Sequence, residues 1–536
     1  MLLCSAALAD AVTENGTFPI TDEKITLTVF APQIPTIVDL ATNDFTVWME
    51  EKTNVHIEWV TAPEANIMEV LSLTLADDMP DIILGCGLKS QYEELYGVAE
   101  GLFMPLNDLI DQYAPNFSAL TEKRPEILDV ITASDGNIYA LPSVQDCYHC
   151  QYCQKMWINQ EWLDVLDLEM PTTTDEFYEV LKAFRDGDPN GNGVQDEIPL
   201  IGCIERDGWY QSVTGYILNA FTYDPGVYQP VKDYVTKDGV IDTGVNKEEY
   251  REGLRYLNKL YSEGLIYMDS FTMTADNVKS LALAEEELVG AAPAGHLAMF
   301  LDVATNPERY RHYTSVEPLE GPTGLKQATY YPYYPVQTGE FIITVENEYP
   351  EISMRWADAF YDYTVQMWRN WGKEGEAWRV AEEGELGLDG VTPALYKTLI
   401  PFEEQAQNEH WSWLGIEYCD NELWNGYNVT TPDMDLYSAE GFEKLLWTET
   451  ENKYEPYKPT EFGEIPPLRM DMTANDELVM LEVQLENYID SCRANFVTGD
   501  MSLDNDWDTY VAELENLGLS RYLELKQEAY DKVYKD

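Results

Sequence analysis

Ile25-Thr26-Leu27-Thr28-Val29, then Val55-His56-Ile57-Glu58-Trp59, then Ile82-Ile83-Leu84-Gly85-Cys86-Gly87 are the three stretches whose reading decides the fold class. The first two alternate apolar and polar residues with the period of a half-buried strand, and the third is a short continuous apolar run. Between them lie helical patterns, one around residues 38–51 with Phe45, Trp48 and Met49 on one face, another near residues 66–76. Strands alternating with helices predict a parallel α/β sheet. Ligands of such sheets gather beyond the carboxyl ends of the strands, so residues 31–36 and 85–92 are expected to point toward a site.

Further along, a second α/β segment is predicted from about residue 157 to 290. Phe341-Ile342-Ile343 reads as a strand returning to the first lobe, followed by a helix over residues 350–363. The end of the chain is helical, because Leu478, Leu481, Leu485, Tyr488, Ile489, Cys492 and Phe496 recur at helical spacing. A chain of 536 residues exceeds what one compact core holds, so two lobes are expected. The predicted boundaries are residues 24–145 with about 296–365 for lobe 1, and 146–295 with about 366–536 for lobe 2. Residues 1–23 form a signal remnant and linker.

Composition limits the partners. With 97 acidic and 33 basic residues the formal net charge is -64, a field that repels phosphate backbones and excludes nucleic acid as a partner. The same field weighs against a polyanionic substrate. Leu2, Leu3, Ala6, Ala7 and Leu8 ahead of small residues read as the remains of an export signal. Cys4 raises a lipoprotein reading, although Leu3 stands where such signals usually carry a small residue. No later stretch approaches the ~20 apolar residues of a membrane span. An extracellular or periplasmic protein is expected, possible anchorage through Cys4 included.

The sharpest motif is Asp188-Pro189-Asn190-Gly191-Asn192-Gly193-Val194-Gln195-Asp196-Glu197. Oxygen-bearing side chains fall at loop positions 1, 3 and 5, and glycine stands at position 6, where an EF-hand loop turns sharply. Val194 at position 7 would ligate through its carbonyl, and Asp196 occupies position 9. Position 12 is Pro199 where an EF-hand has a bidentate glutamate, so Asp196 and Glu197 must close the shell. Calcium tolerates this, because it accepts six to eight hard oxygens in loose geometry. The predicted ion is structural.

A second cluster, Cys147-Tyr148-His149-Cys150-Gln151-Tyr152-Cys153, leaves three readings open: a metal centre, a local disulfide, or buried thiols. An iron–sulfur motif wants another cysteine four residues on, where Trp157 stands.

The calcium-type loop follows Gly136-Asn137-Ile138-Tyr139-Ala140-Leu141-Pro142, Trp162-Leu163-Asp164, Pro171-Thr172-Thr173-Thr174-Asp175-Glu176-Phe177 and Leu181-Lys182-Ala183-Phe184. Leu75-Ala76-Asp77-Asp78-Met79-Pro80-Asp81-Ile82, Val316-Glu317-Pro318-Leu319-Glu320-Gly321-Pro322 and Phe496-Val497-Thr498-Gly499 extend the series. In that order the motifs resemble family 1 bacterial extracellular solute-binding proteins, in particular the large branch that includes alginate-oligosaccharide binders. The resemblance covers residue 25 to the end. It implies a two-lobed periplasmic-binding-protein-like α/β fold (type II), with a hinge between lobes that close over a sugar, and a helical C-terminal region. It implies a monomer that captures an oligosaccharide and serves the permease subunits of an ABC importer. Carried over residue by residue, the calcium ligands are Asp188, Asn190, Asn192, Val194, Asp196 and Glu197. The segment 146–154 departs from the pattern, and it lies where the chain would first cross between lobes.

Sugars present apolar C–H faces and rings of hydroxyls, so binders combine aromatic platforms with planar polar side chains. Trp209, Trp371, Trp378, Trp411 and Trp413 sit among glycines and polar residues and are the candidate platforms. Trp356 and Trp368 lie in helix-like stretches and read as core. Gln145, Asp146 and Tyr148 are polar candidates at the expected crossing.

The rivals are a secreted glycoside hydrolase and a calcium-dependent glycan adhesin. Among 97 acids a pair of carboxylates is inevitable, so carboxylates alone do not argue for a hydrolase. Nothing resembles a serine nucleophile elbow or an HExxH site, and His56, His149, His296, His312 and His410 are scattered. No Walker loop occurs, so ATP hydrolysis would belong to a partner. An adhesin fits the loop but not the α/β pattern. A binding protein without enzymatic activity is the expectation.

Overall fold

The computed structural model describes residues 12–226, 229–303, 306–332, 335–400, 406–412, 414–470 and 472–535. The chain forms two α/β units. The first comprises Met1–Cys147, Tyr334–Pro432 and Arg469–Thr473, and the second Tyr148–Tyr333, Asp433–Leu468 and Ala474–Asp536.

In the first unit six strands pair in the order Tyr418–Cys419, Leu141–Gln145, Val336–Ile343, Ile82–Leu84, Ile25–Gln33, Val55–Pro63. Ile25–Gln33 runs parallel to Val55–Pro63, from Ile25 opposite Val55 to Gln33 opposite Pro63. It is also parallel to Ile82–Leu84, with Val29 opposite Ile82. Val336–Ile343 is antiparallel to both its neighbours. Successive side chains of a strand point to opposite faces. Ile82 and Leu84 therefore enter one core with Val29 and Phe341, while Ile83 enters another with Phe30 and Ile342. Burial on both faces is why this strand reads as a continuous apolar run.

The helix expected from residue 38 begins at Asp44. Asn43 stops the chain from continuing it backward: its side chain accepts from the Phe45 amide at 3.0 Å and caps the helix. Val38 lies outside the helix and is exposed.

The second unit is built on four strands in the order Tyr313–Val316, Met156–Asn159, Val289–Pro293, Ile198–Leu200. Met156–Asn159 is antiparallel to both its neighbours, and Ile198–Leu200 is parallel to Val289–Pro293. Helix Thr174–Asp186 opens with a capping box between Thr173 and Glu176 and buries Phe177, Val180, Leu181 and Phe184. Leu485, Ile489, Cys492 and Phe496 of helix Met472–Thr498 are buried in the same core with Leu514 of Trp507–Asn516 and Tyr522 of Leu519–Tyr534. No helix among the described residues is long and apolar enough to cross a membrane.

The unit boundaries differ from the expected ones in two long stretches, and in two short ones, residues 146–147 and Arg469–Thr473, which also belong to the first unit. Residues 296–333 belong to the second unit, because Tyr313–Val316 pairs with Met156–Asn159. Residues 366–432 belong to the first, because Tyr418–Cys419 pairs with Leu141–Gln145. The first crossing falls between Cys147 and Tyr148.

Candidate functional site

In the first unit, strands Ile25–Gln33, Ile82–Leu84 and Leu141–Gln145 all end at one edge of the sheet. The segment after Leu84 is held there closely. Gly339 takes φ +70°, and a Cβ on it would stand 2.2 Å from the Leu88 carbonyl oxygen, so only glycine admits the approach. Beside this segment lie the buried polar residues Glu340, Glu417 and Arg369, with the half-buried Cys86. Glu340 is held up at about 8, first by burial, with Arg369 pulling down and Glu417 pushing up. Burial also raises Glu417, whose Oε1 accepts from Gln145 Nε2 at 3.1 Å. Burial and Glu340 push the Cys86 thiol far up. Arg369 is fully buried and donates to the carbonyls of Leu414 and Gly415.

Asp146 has a different task. It accepts from Arg124 Nη1 at 2.8 and 3.0 Å and from the Asn421 amide at 3.1 Å. Those bonds tie helices Pro115–Lys123 and Asn421–Tyr427 to the end of the strand.

In the second unit, Ile198–Leu200, Val289–Pro293 and Tyr313–Val316 end at the edge where the antiparallel Met156–Asn159 begins. Four pieces meet there: the turn Tyr148–Tyr152, the turn bearing Trp209, the residues after Pro293, and helix Phe442–Lys453. Lys155, fully buried, donates through Nζ to the carbonyls of His149 (2.9 Å) and Tyr152, clamping the first turn. Burial pushes its amine down to about 7. Tyr148 donates to Glu455 Oε2 at 2.7 Å, and its ring lies 4.6 Å from that of Trp447. Trp209 lies over Gly295, where a Cβ would come within 2.0 Å of its ring, and packs 5.3 Å from His296. His296 is held down at about 3, by burial first and then by His149 and Lys155.

Cys147 and Cys150 are disulfide-bonded, and Cys153 is a buried thiol pushed up to about 12 by burial. The disulfide removes the two thiolates that a metal reading of this cluster required.

The predicted aromatics separate. Trp411 is fully buried, donating its indole N–H to Thr46 Oγ1 at 2.8 Å and packing edge-on against Phe45 and Trp59. Trp378 is 1% exposed and donates to the Gly372 carbonyl. Neither ring keeps a face for a ligand, which corrects the expectation for both. Trp371 is half-buried near Tyr427. Trp413 lies outside the described residues, as do residues 1–11 with Cys4. Trp447 and His296 escaped sequence reading. Trp447 lies in a helix, Phe442–Lys453, that no motif marks, and a lone histidine carries none either.

Residues 188–197 connect helix Thr174–Asp186 to strand Ile198–Leu200, at the amino end of that strand and so opposite the aromatic edge. Asp188 accepts from the Gly193 amide at 3.2 Å. Asn190 and Asn192 both donate to Asp196 Oδ1 at 3.1 Å. Both carboxylate oxygens of Glu197 are buried without a hydrogen-bond partner. Burial, Asp196 and Asp188 all raise this carboxyl, so three carboxylates crowd one small loop.

Comparison with known proteins agrees with this architecture. A family model described as bacterial extracellular solute-binding protein matches residues 31–344. The fructooligosaccharide ABC transporter substrate-binding protein FusA of Streptococcus pneumoniae is 27% identical over 535 residues, covering 98% of this chain and 94% of that protein. The solved structure of FusA in complex with kestose is similar with a TM-score of 0.75 at 26% identity, covering 95% of this chain and 99% of that one. An EF-hand mutant of FusA in complex with fructo-nystose is similar with a TM-score of 0.75 at 25% identity and the same coverage. Two α/β units, a helical C-terminal region and a family match over more than half of its length place the chain in one group: it belongs to the bacterial extracellular solute-binding proteins.

Proposed function

We propose that the protein is the extracytoplasmic substrate-binding subunit of an ABC importer, capturing an oligosaccharide and delivering it to a membrane permease. The observation that carries this reading is the similarity to a fructooligosaccharide-binding relative over nearly the whole chain. The local chemistry supports it: polar groups stand at the strand ends of the first unit, with Gln145 bonded to Glu417, and half-buried aromatic rings at the strand ends of the second, Tyr148 and Trp209 among them. Planar amides and carboxyls suit hydroxyls, and flat rings suit C–H faces. The protein acts as a monomeric binder rather than an enzyme, outside the cytoplasm, with Cys4 as the candidate lipid anchor. Calorimetry with kestose, fructo-nystose and a wider glycan panel tests the reading. Tight binding without turnover supports it, and no binding to any glycan of the panel refutes it.

The residues of the loop fit a structural Ca2+. Asp188, Asn190, Asn192, Asp196 and Glu197 supply side-chain oxygens and Val194 a carbonyl, the hard donor set that this ion prefers. The unpartnered Glu197 oxygens are the observation that favours it, since buried charge without a partner is costly. The bound ion would offset the crowded carboxylates and brace the loop. A relative solved as an EF-hand mutant is consistent with such a site.

A further inference from the structure

The acidic loop of the second unit contains Asn-Gly twice in succession, Asn190-Gly191 and Asn192-Gly193. In such a pair the asparagine side chain can close a five-membered ring with the next main-chain nitrogen, which glycine leaves unscreened because it has no side chain. Sequence treats the two pairs alike. The fold separates them.

At Asn190 both reacting groups are engaged elsewhere. The Gly191 amide donates to the Asp188 main-chain carbonyl at 3.1 Å. The Asn190 side-chain nitrogen donates to Asp196 Oδ1 at 3.1 Å and to the Glu287 carbonyl at 3.3 Å.

Asn192 is arranged to react. Its Oδ1 accepts from the Val194 amide at 2.6 Å, a donor placed where negative charge builds when Cγ is attacked. The attacking atom, Gly193 N, donates to both carboxylate oxygens of Asp188 at 3.2 Å, so a base already touches the proton that must leave. Bonds from Nδ2 to Asp196 Oδ1 and Oδ2, at 3.1 and 3.2 Å, fix the rotation of the side chain. Gly193 is exposed and has open space where a Cβ would stand, so water reaches the site.

We propose that Asn192 is a self-modifying site, which converts to aspartate and isoaspartate when the loop holds no ion. The bond from Gly193 N to Asn192 Cγ forms as Asp188 takes the amide proton. The bond from Cγ to Nδ2 then breaks, and that nitrogen leaves with the proton as ammonia. Water opens the cyclic imide. Cleavage at Cγ gives aspartate, and cleavage at the main-chain carbonyl carbon gives isoaspartate, which lengthens the backbone by one methylene. Aspartate adds a carboxylate to Asp188, Asp196 and Glu197, and calcium affinity follows the charge of the ligand set. Protection by Ca2+ is the one part that rests on the calcium reading above, in which the Asp188 and Asn192 oxygens serve the ion instead.

The test is peptide mapping by mass spectrometry after the whole protein has been kept in warm neutral buffer with chelator, with Ca2+, or with chelator and urea. In chelator, Asn192 should exchange its NH2 for OH on the order of tenfold or more faster than Asn190, with isoaspartate among the products. Urea should erase that lead. Asp188→Asn in chelator should slow Asn192 by on the order of tenfold. If Asp188→Asn does not fold, the wild-type comparison of Asn192 with Asn190 still decides. An Asn192 that stays intact, that converts no faster than Asn190, or that keeps its lead in urea overturns the proposal. Equal rates with Ca2+ and with chelator overturn the calcium reading alone and leave the self-modification standing.

Discussion

Asn190 donates its side-chain amide to Asp196 Oδ1 at 3.1 Å, so the third and ninth positions of the acidic loop are tied across its centre. A half-turn of that amide would present its oxygen instead, together with the Glu197 carboxylate that now has no partner.

From this relationship follows metal-dependent stability. An ion that binds only the folded state stabilises it by mass action, about 2.7 kcal/mol at a hundredfold excess over Kd. Chelation should lower the melting temperature, and added Ca2+ should restore it. Asp188→Ala should abolish most of that response yet leave sugar affinity nearly intact, since the loop is at the opposite edge of its sheet from the aromatic residues. An identical melting curve with and without chelator refutes the calcium site.

Trp411 and Trp378 should behave as core. Removing a fully buried indole costs roughly 3–5 kcal/mol. Trp411→Ala also leaves Thr46 Oγ1 without its donor. Urea unfolding should show the loss, whereas protein that remains folded should keep its affinity. A drop in affinity without a drop in stability would place the ring at the ligand.

Asp146 should matter for stability rather than for contact with ligand. Asp146→Ala leaves the half-buried Arg124 with Glu126 as its remaining carboxylate partner and removes the acceptor of the Asn421 amide, a loss on the order of 2 kcal/mol. Asp146→Asn, which keeps an acceptor for the Asn421 amide, should be milder. Equal melting temperatures for wild type and Asp146→Ala contradict this role.

Glu340 should make stability pH-dependent. Its carboxyl is held at about 8 against an ordinary 4.5, so the folded state keeps a proton that the unfolded chain releases. That contribution is complete below the ordinary value and is lost as pH rises toward about 8. Glu340→Gln should therefore raise the melting temperature relative to wild type at pH 8, on the order of 2 °C, and do little at pH 5. Parallel pH profiles for the two proteins would count against it.

Catalysis should be absent. Purified protein incubated with the oligosaccharides it binds should release no monosaccharide over hours. Turnover that copurifies with the chain and vanishes on substituting a single carboxylate would favour the hydrolase reading.

Local sequence alone determined the first three strands and the intervening helices, because period-two alternation and a double-sided apolar run are imprinted by neighbours a few residues apart. The acidic loop was equally legible, since its oxygens come from consecutive positions. Other features depend on partners far along the chain. Whether Trp411 faces ligand or core is decided by Phe45 and Trp59, more than 300 residues away. Its polar and glycine neighbours in sequence suggested a platform that packing denies. Residues 296–333 joined the second unit through the pairing of Tyr313–Val316 with Met156–Asn159, a hydrogen-bonding choice that no local pattern encodes. Trp447 has a helical residue's neighbours in sequence, and only the folded chain sets it beside Tyr148 outside every core. Periodicity reports which face of an element is apolar; which other element covers that face is decided when distant segments pack together.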